Sequence, residues 1–382
     1  MLIFVGMQDL QAFFSDTHFL QDHQNTYDAL QWGALTDYPS EGNFDWTEAD
    51  IVIVGCGENR GEHPDADSQD DTPDAIRRQF YKLYNWHSGI RIFDAGNIVR
   101  GADIDDTRAA LRTILQEIHA AGKIAVVLGG SHDLTLQQYD VFKKAQQVIN
   151  ATVVDMLVDL DETELTTSRS FLMEMLTTSP NFVAHYNHIG FQSYFVNPVM
   201  LETLDKIRFD FFRVGRVKEQ IEEMEPVIRG SHLLSFDLNA VKYSDAPMNK
   251  QGSPNGLAGD EACTLTRFAG MSSELRSFGI YGFDETLDKD DMTATLAAQM
   301  LWYFIDGFYL RKHEAMLSDK NEFIEYQLQF TGNDITFIKS KRSNRWWMQL
   351  PDGSFEPCSY NDYLLASENE IPERWLRIQE RA

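Results

Sequence analysis

The chain has 382 residues, of which 43% are hydrophobic and 24% charged, a composition typical of a soluble globular protein with a sizeable core. Its 59 acidic and 33 basic residues give a formal charge of −26, so the surface repels phosphate backbones and nucleic acid is not an expected partner. Cys56, Cys263 and Cys358 are too far apart for a zinc motif and, being an odd number, form no disulfide framework, which indicates a reducing cytoplasm. We therefore expect a cytoplasmic protein.

No targeting or membrane segment is expected. The first 16 residues lack the basic start and the long apolar core of a signal peptide. No run reaches the roughly 18 apolar residues that a membrane helix needs. The sequence therefore predicts no membrane partner.

Short apolar runs that end in glycine or a polar residue alternate with longer helical patterns along most of the chain. The runs predict strands at 51–54, 90–93, 124–128, 152–154, 188–190, 233–236 and 278–281. Helices are predicted at 107–121 and 293–308, and a polar loop at 60–72 leads into a helix near Pro73. This alternation is typical of parallel β-α-β units. The expected fold is α/β, three layers with a mostly parallel central sheet, over residues 1–316.

The pattern changes after about residue 317. Alternating stretches at 325–330, 334–340 and 345–351 are separated by turn residues at 332–333 and 351–353. Such stretches predict antiparallel strands. Residues 317–382 are therefore interpreted as a small β-rich addition that packs on the main domain and ends in a polar tail, with Trp346 and Trp347 in its packing or in a subunit contact.

Polar side chains that could bind a ligand follow three of the predicted strands. His132 and Asp133 follow the strand that ends at Gly129-Gly130. Asp155, Leu157 and Asp159 share one face if the next strand continues, and Asp237 and Asn239 share a face by the same alternation. Ligands bind outside the carboxyl ends of parallel strands, so these residues mark the candidate site.

These segments resemble the ureohydrolases, the family of arginase, agmatinase and formiminoglutamase. That family carries Gly-Gly-Asp/Ser-His, then Asp-x-His-x-Asp, then Ser-x-Asp-x-Asp-x-x-Asp-Pro, and the chain has similar motifs in the same order. GLAGDEA at 256–262 and TATLAAQMLW at 293–302 are similar to later helix motifs of the family. The resemblance covers residues 51–308 and implies an arginase-like fold.

The resemblance implies metal ligands at four matching positions, His132, Asp155, Asp159 and Asp237. Two further family ligand positions do not match: Leu157 stands where a histidine belongs, and Asn239 where an aspartate belongs. In the family the four retained positions bind one metal, and the two changed positions bind only the other. The resemblance therefore implies that one ion's ligand set is complete and the other's is lost.

Charge favours a single ion over two or none. Three aspartates leave a net charge of −1 with one divalent ion, +1 with two and −3 with none. Three crowded carboxylates without a cation would repel one another and take up protons. The imidazole and carboxylate set suits manganese, zinc or magnesium without choosing among them. The alternative is an empty site in which His132 is satisfied by nearby backbone groups and the aspartates cap helices or turns.

Substrate-binding positions are less well matched. The family's glutamate for the substrate's cationic group falls nearest Gly282, so Asp284 or Glu285 would have to replace it from a shifted register. Arg169, in the loop after Asp159, is a candidate for binding a carboxylate, and Lys242 could supply positive charge in place of the missing ion. A solvated loop explains Arg169 equally well, while Asp284 and Glu285 are better explained as ordinary loop carboxylates and Lys242 as a surface lysine.

Three functions remain open at this point. The chain is expected to be a ureohydrolase relative with an eroded metal site, at most one metal and weak or absent C–N hydrolysis, or else an active metal-dependent hydrolase of a formimino or guanidino compound. As a silent relative it would assemble as a homo-oligomer or with an active paralogue. As a sensor it would bind a small amino-acid-like or guanidino ligand.

Overall fold

The central sheet has eight parallel strands. The computed structural model describes residues 7–15, 26–39, 44–65, 71–248, 252–330 and 333–381. The strands are β1 Ile51–Gly55, β2 Ile92–Asn97, β3 Ile124–Leu128, β4 Ile149–Val154, β5 Val183–Phe191, β6 Asp210–Arg213, β7 Leu233–Asp237 and β8 Ser277–Tyr281. Their order across the sheet is β2-β1-β3-β8-β7-β4-β5-β6. The predicted α/β class with a parallel sheet is confirmed.

Helices lie around this sheet. Those described in the main part of the chain are α1 Met7–Leu10, α2 Trp32–Leu35, α3 Thr72–Phe80, α4 Ile104–Ala120, α5 Thr135–Lys144, α6 Phe171–Thr177, α7 Pro198–Lys206, α8 Val214–Glu219, α9 Met224–Arg229, α10 Gly259–Met271 and α11 Met292–Lys312. Apolar clusters fill both sides of the sheet. None of the helices in the described ranges is long and apolar enough to cross a bilayer.

The central strands are apolar runs because both of their faces are buried. Every residue of β1, β3, β7 and β8 is buried, including Asp237 at the end of β7. Continuous apolar runs of this kind are the pattern of a covered parallel sheet. Two predictions fell short at one edge of the sheet. β5 begins at Val183, five residues before the predicted start, and β6 was not predicted. Both lie at the margin of the sheet and carry half-exposed residues, so they lack a continuous apolar run.

A second sheet of four antiparallel strands follows the main domain. Its strands are β9 Phe323–Phe330, β10 Asn333–Ser340, β11 Trp346–Gln349 and β12 Phe355–Cys358, in the order β12-β11-β10-β9. The predicted antiparallel addition is confirmed, although Gly332 of the first predicted turn lies outside the described residues. The segment interpreted as a polar tail contains two helices that were not predicted, α12 Tyr360–Ser367 and α13 Glu373–Arg381. Both helices carry apolar side chains that pack on the sheet, among them Tyr363 and Trp375.

One buried arginine anchors this sheet to the main domain. Arg229, at the end of α9, pairs with Glu225 and donates from Nη1 to the carbonyl oxygen of Trp346 at 2.7 Å. Its guanidinium also lies 4.5 Å from the centre of the Trp347 ring. Arg345, which pairs with Glu314 at 2.7 Å, lies near the same ring. The addition is thus held by charged groups that are largely removed from water.

Replacing Arg229 by alanine is expected to lower the free energy of unfolding by about 3 kcal/mol, because the buried Glu225 loses its main cationic partner. Urea denaturation followed by tryptophan fluorescence measures the change. Arg342→Ala is the matched control, since Arg342 pairs with Glu322 at the surface and should change little. Equal effects of the two variants would contradict the anchoring role.

Candidate metal centre

Two glycines and a tight turn bring His132 to the carboxyl edge of the sheet. Gly129 and Gly130 follow β3 with φ values of +85° and +79°, which residues with a Cβ rarely adopt. A Cβ at Gly130 would also lie 2.5 Å from the carbonyl oxygen of Cys56. His132 then begins a short 3₁₀ turn, His132–Leu134, that leads directly into α5. The turn fixes the imidazole over the middle of the sheet.

Asp155 and Asp159 reach the same point from the end of β4. The strand ends at Val154, and Asp155 Oδ1 accepts a hydrogen bond from the backbone N–H of Leu157 at 3.1 Å. This bond bends the backbone, so the strand does not continue to residue 159 as the alternation required. The two aspartates converge because the loop turns back, which the sequence pattern did not predict.

Asp237 is the last residue of β7, and its backbone is also not extended beyond that point. Its Oδ1 accepts the N–H of Asn239 at 2.7 Å and caps the 3₁₀ turn Leu238–Ala240. The expectation that Asp237 and Asn239 share a strand face is therefore wrong. Across β8, Gly282 has φ +73°, and a Cβ there would lie 2.3 Å from Asp237 Oδ1. The position that best matches the family glutamate therefore has no room for a side chain.

The four predicted ligands meet at one nitrogen. Nδ1 of His132 lies 3.2 Å from Oδ2 of Asp155, 3.3 Å from Oδ2 of Asp159 and 3.3 Å from Oδ2 of Asp237. All four side chains are buried. On the other side of the ring, Nε2 lies 2.9 Å from Ser235 Oγ, which fixes the ring's orientation.

The arrangement fits a divalent cation. Nδ1 of His132 makes no well-directed hydrogen bond to any described residue, although three carboxylate oxygens surround it. A ligand atom from each of His132, Asp155 and Asp237 lies within 4.8 Å of the other two. Ligands about 2.1 Å from one ion lie about 3 to 3.5 Å apart, close to the spacing seen here. Once its proton is displaced, a buried imidazole nitrogen that faces three carboxylate oxygens offers the mixed nitrogen and oxygen donors that such an ion takes.

Protons occupy this cluster when it holds no cation. Burial alone would lower the pKa of His132, but Asp155, Asp159 and Asp237 outweigh it and hold the pKa well above its usual value. Burial and the charge of Asp159 raise the pKa of Asp155 to about 6. Burial and the charge of Asp155 raise the pKa of Asp237 to about 8. Binding a cation would therefore release protons near neutral pH.

The metal-free protein is expected to lose stability as pH rises from about 6.5 to 8.5. The folded chain keeps a proton on Asp237 up to its pKa of about 8, and the pKa of His132 is held well above its usual value. An unfolded chain, with side-chain pKa values near 3.9 and 6.5, has already lost the carboxyl proton and loses the histidine proton as the pH rises above about 6.5. Each extra proton held by the folded state costs about 1.4 kcal/mol of stability per pH unit. Thermal unfolding in chelator measures the trend.

Asp237→Asn is the matched control for this pH dependence, because asparagine does not titrate and the slope should become shallower. Below pH 6.5 the buried His188 makes stability rise with pH, which is the opposite trend, since burial lowers its pKa to about 4. Above pH 6.5 this contribution no longer changes, so the slope there reports on the cluster. An unfolding temperature that rises through this window would contradict the assignment of protons to the carboxylates.

The two positions that differ from the family's second metal site lie beside the cluster. Leu157 is half-buried in the bend after Asp155, and its hydrocarbon side chain offers no lone pair. Asn239 is half-buried in the turn after Asp237. Asn239 offers a neutral amide in place of a carboxylate, so neither position supplies the histidine or aspartate of the family pattern.

The weaker substrate candidates are engaged locally. Arg169 is exposed and lies 3.5 Å from Asp161. Asp284 Oδ1 accepts the N–H of Thr286 at 3.0 Å, which caps a short turn, and Glu285 lies 3.7 Å from the guanidinium of Arg78. Lys242 pairs with Asp245 at 3.2 Å. The structure brings none of the four into the group of metal-ligating side chains, so their substrate role stays a prediction.

The structure adds contacts around the site that the sequence analysis did not predict. Asp133 is fully buried and pairs with Arg108 at 2.6 Å, and Arg108 also donates to the carbonyl oxygen of Thr166 in the loop after β4. His188 Nε2 lies 3.3 Å from the carbonyl oxygen of Asp155. Asp133 was already named beside the motif histidine, but its partner Arg108 lies on a helix with no sequence signal.

The site can now be compared with known proteins. The sequence model of the arginase family matches residues 49–306. The chain belongs to the arginase family. The matched range includes the four clustered residues, His132, Asp155, Asp159 and Asp237, together with Leu157 and Asn239. The family also accounts for the order of the motifs along the chain.

Individual relatives agree with this membership. The formimidoylglutamase of Staphylococcus carnosus (strain TM300) is 22% identical over 243 residues, which are 61% of this chain and 78% of that protein. The fold matches a crystal structure of Trypanosoma cruzi formiminoglutamase with Mn²⁺ at a TM-score of 0.66 and 17% identity, covering 74% of this chain and 99% of that one. The formimidoylglutamase of Bacillus subtilis matches at 0.63 and 17%, covering 72% and 91%. At these identities the solved structures show the arginase-like fold.

Proposed function

We propose that this arginase-family chain binds one divalent cation through His132, Asp155, Asp159 and Asp237 and hydrolyses C–N bonds weakly or not at all. The observation that carries the proposal is the buried Nδ1 of His132, which faces three carboxylate oxygens without a directed hydrogen bond. Manganese, zinc and magnesium all fit such a donor set. The proposed ligand of the cleft is a small amino-acid-like or guanidino compound.

The chain's own residues prepare the donor atoms. Ser235 Oγ lies 2.9 Å from Nε2 of His132 and 2.6 Å from Thr135 Oγ1, so the ring is held with Nδ1 toward the carboxylates. The N–H groups of Leu157 and Asn239 occupy one oxygen each of Asp155 and Asp237. The other oxygen of each carboxylate remains directed at His132.

Weak hydrolysis follows from the ligand chemistry. A bound divalent ion supplies Lewis-acid chemistry and lowers the pKa of water. Three carboxylates donate more negative charge to a single ion than neutral ligands would, which reduces this effect. Leu157 and Asn239 also leave no complete set of side chains for a second ion. The remaining activity should therefore be far below that of a two-ion site.

The alternative is an active hydrolase of a formimino or guanidino compound, which is supported by the similar proteins, several of which are formiminoglutamases. Elemental analysis after growth in manganese or zinc, with assays for ammonia and urea release from formiminoglutamate, agmatine and arginine, separates the two. One ion per chain with little turnover supports the proposal. Robust turnover supports the alternative, and less than about 0.1 ion per chain contradicts metal binding in either form.

Assembly and location are proposed on the same family basis. A chain that retains the fold but little chemistry is expected to act in the cytoplasm as a homo-oligomer or together with an active paralogue. Affinity purification of the tagged full-length chain from its own cells tests the second arrangement. Recovery of an active ureohydrolase in a fixed ratio supports it, and recovery of this chain alone contradicts it.

A further inference from the structure

The strand β9 is an open edge of the small sheet. It pairs with β10 on one side, from Phe323 opposite Ser340 to Phe330 opposite Asn333. Among the described residues no strand pairs with its other side, and β9 stands last in the order of the sheet. Glu325, Gln327 and Gln329 are exposed, and 42% of the surface of Ile324 is accessible to solvent. An open strand edge is available to pair.

The ladder shows which backbone groups face outward. The N–H of Lys341 donates to the carbonyl oxygen of Glu322 at 2.9 Å, which makes this an inward hydrogen-bonded pair. Hydrogen-bonded pairs alternate along an antiparallel ladder, so residues 324, 326 and 328 also bond inward. The N–H and C=O groups of residues 323, 325, 327 and 329 therefore point away from β10. The N–H of Phe323 is already used, because it donates to the carbonyl oxygen of Lys320 at the end of the preceding 3₁₀ turn, so the free edge runs over residues 325–329.

Natural edge strands usually carry features that prevent pairing, such as lysine, proline, a bulge or a short length. The sequence of β9, FIEYQLQF, has neither lysine nor proline, and its register with β10 is unbroken. Its only charged residue is Glu325. In a chain with a formal charge of −26, an eight-residue strand with one charge is the kind of segment that another strand can approach.

We propose that β9 pairs antiparallel with β9 of a second copy of this chain, about a twofold axis at Tyr326. In this register Glu325 lies opposite Gln327 of the second copy, and Ile324 lies opposite Leu328. The N–H and C=O groups of residue 325 then bond those of residue 327 of the second copy, and the carbonyl oxygen of residue 323 accepts the N–H of residue 329. The two four-stranded sheets become one sheet of eight strands.

Side-chain chemistry selects this register over its neighbour. Gln327 Nε2 already donates to Glu325 Oε1 at 2.9 Å within one chain, and the same amide and carboxylate groups face each other across the proposed axis. A register centred on Glu325 would place two carboxylates directly opposite, which is destabilising. Centring on Tyr326 pairs apolar with apolar and amide with carboxylate. The strand is therefore complementary to itself, and a second copy is its expected partner.

Sedimentation velocity of the full-length chain between roughly 10 and 200 µM tests the interface, since one strand pair is smaller than a standard interface and should associate weakly. Gln327→Pro removes an outward N–H and no bond to β10, so the mass should fall two-fold while the far-UV spectrum is kept. Gln327→Thr keeps the N–H and should leave the mass unchanged. A two-fold fall is expected whether or not other faces also assemble.

A second variant tests the same contact in case the Gln327→Pro chain does not fold. Glu325→Lys with Gln327→Lys places lysines opposite lysines in the proposed register and should also halve the mass. Equal masses of the unmodified chain and the folded edge variants at every concentration would overturn the proposal. A Gln327→Thr chain that dissociates as fully as Gln327→Pro would also overturn it, because the strand's backbone edge would then not be the contact.

Discussion

Replacing Leu157 by histidine and Asn239 by aspartate in one chain is expected to raise the number of bound divalent ions from one to two. These are the two family ligand positions at which the chain lacks a ligand, and both lie in turns braced by the neighbouring metal-site aspartates. Four aspartates would then balance two divalent ions, instead of three balancing one with a charge of −1. Hydrolysis of one of the three assayed compounds, formiminoglutamate, agmatine or arginine, should rise at least roughly 100-fold, because two ions acidify and position water together.

Single variants are the matched controls for this gain. Leu157→His alone and Asn239→Asp alone each restore one ligand and should bind a second ion weakly, with little gain in turnover. Elemental analysis and ammonia or urea release are measured on all four chains after identical growth in manganese. A double variant that still holds one ion or fewer would show that more than these two side chains separates this site from a two-ion site.

Replacing His132 by alanine is expected to weaken divalent-ion binding at least roughly 100-fold, which corresponds to about 2.7 kcal/mol. The imidazole is the point on which all three carboxylates converge. In the metal-free chain the same change removes the cationic partner of three buried carboxylates and should cost about 3 to 5 kcal/mol of stability. Isothermal titration with Mn²⁺ and urea denaturation in chelator measure the two effects.

His185→Ala is the matched control for this loss. His185 is a half-buried histidine beside a carboxylate, 3.1 Å from Asp210, and it lies on β5, next to the edge strand β6 and away from the cluster. The control chain should keep its ion. Retention of about one tightly bound ion by His132→Ala would contradict the proposed ligand set.

The sheet was predictable where burial dictated the sequence. All seven predicted strands overlap observed ones because both faces of the central strands are covered, which forces continuous apolar runs. β6 was missed because it lies at the margin, where half-exposed residues such as Asp210 carry no distinctive pattern. The terminal helices α12 and α13 were missed because both are short and the charged residues of α13 resemble a solvated tail, although Tyr363 and Trp375 pack on the second sheet.

The residues of the site could be predicted from the sequence, but the backbone conformation that brings them together could not. Motif order identified His132, Asp155, Asp159 and Asp237, and the structure brings them together. Strand alternation gave the wrong reason for their proximity, since hydrogen bonds from backbone N–H groups to Asp155 and Asp237 end the extended backbone. Contacts such as that of Arg108 with Asp133 depend on tertiary packing, which no repeating pattern in a single sequence indicates.

Anomalous diffraction from crystals grown with Mn²⁺ tests the single-ion site most directly. Data collected at the manganese edge should show one peak per chain, within bonding distance of Nδ1 of His132 and enclosed by Asp155, Asp159 and Asp237. No peak at saturating Mn²⁺, or two peaks of comparable height near Leu157 and Asn239, would contradict it.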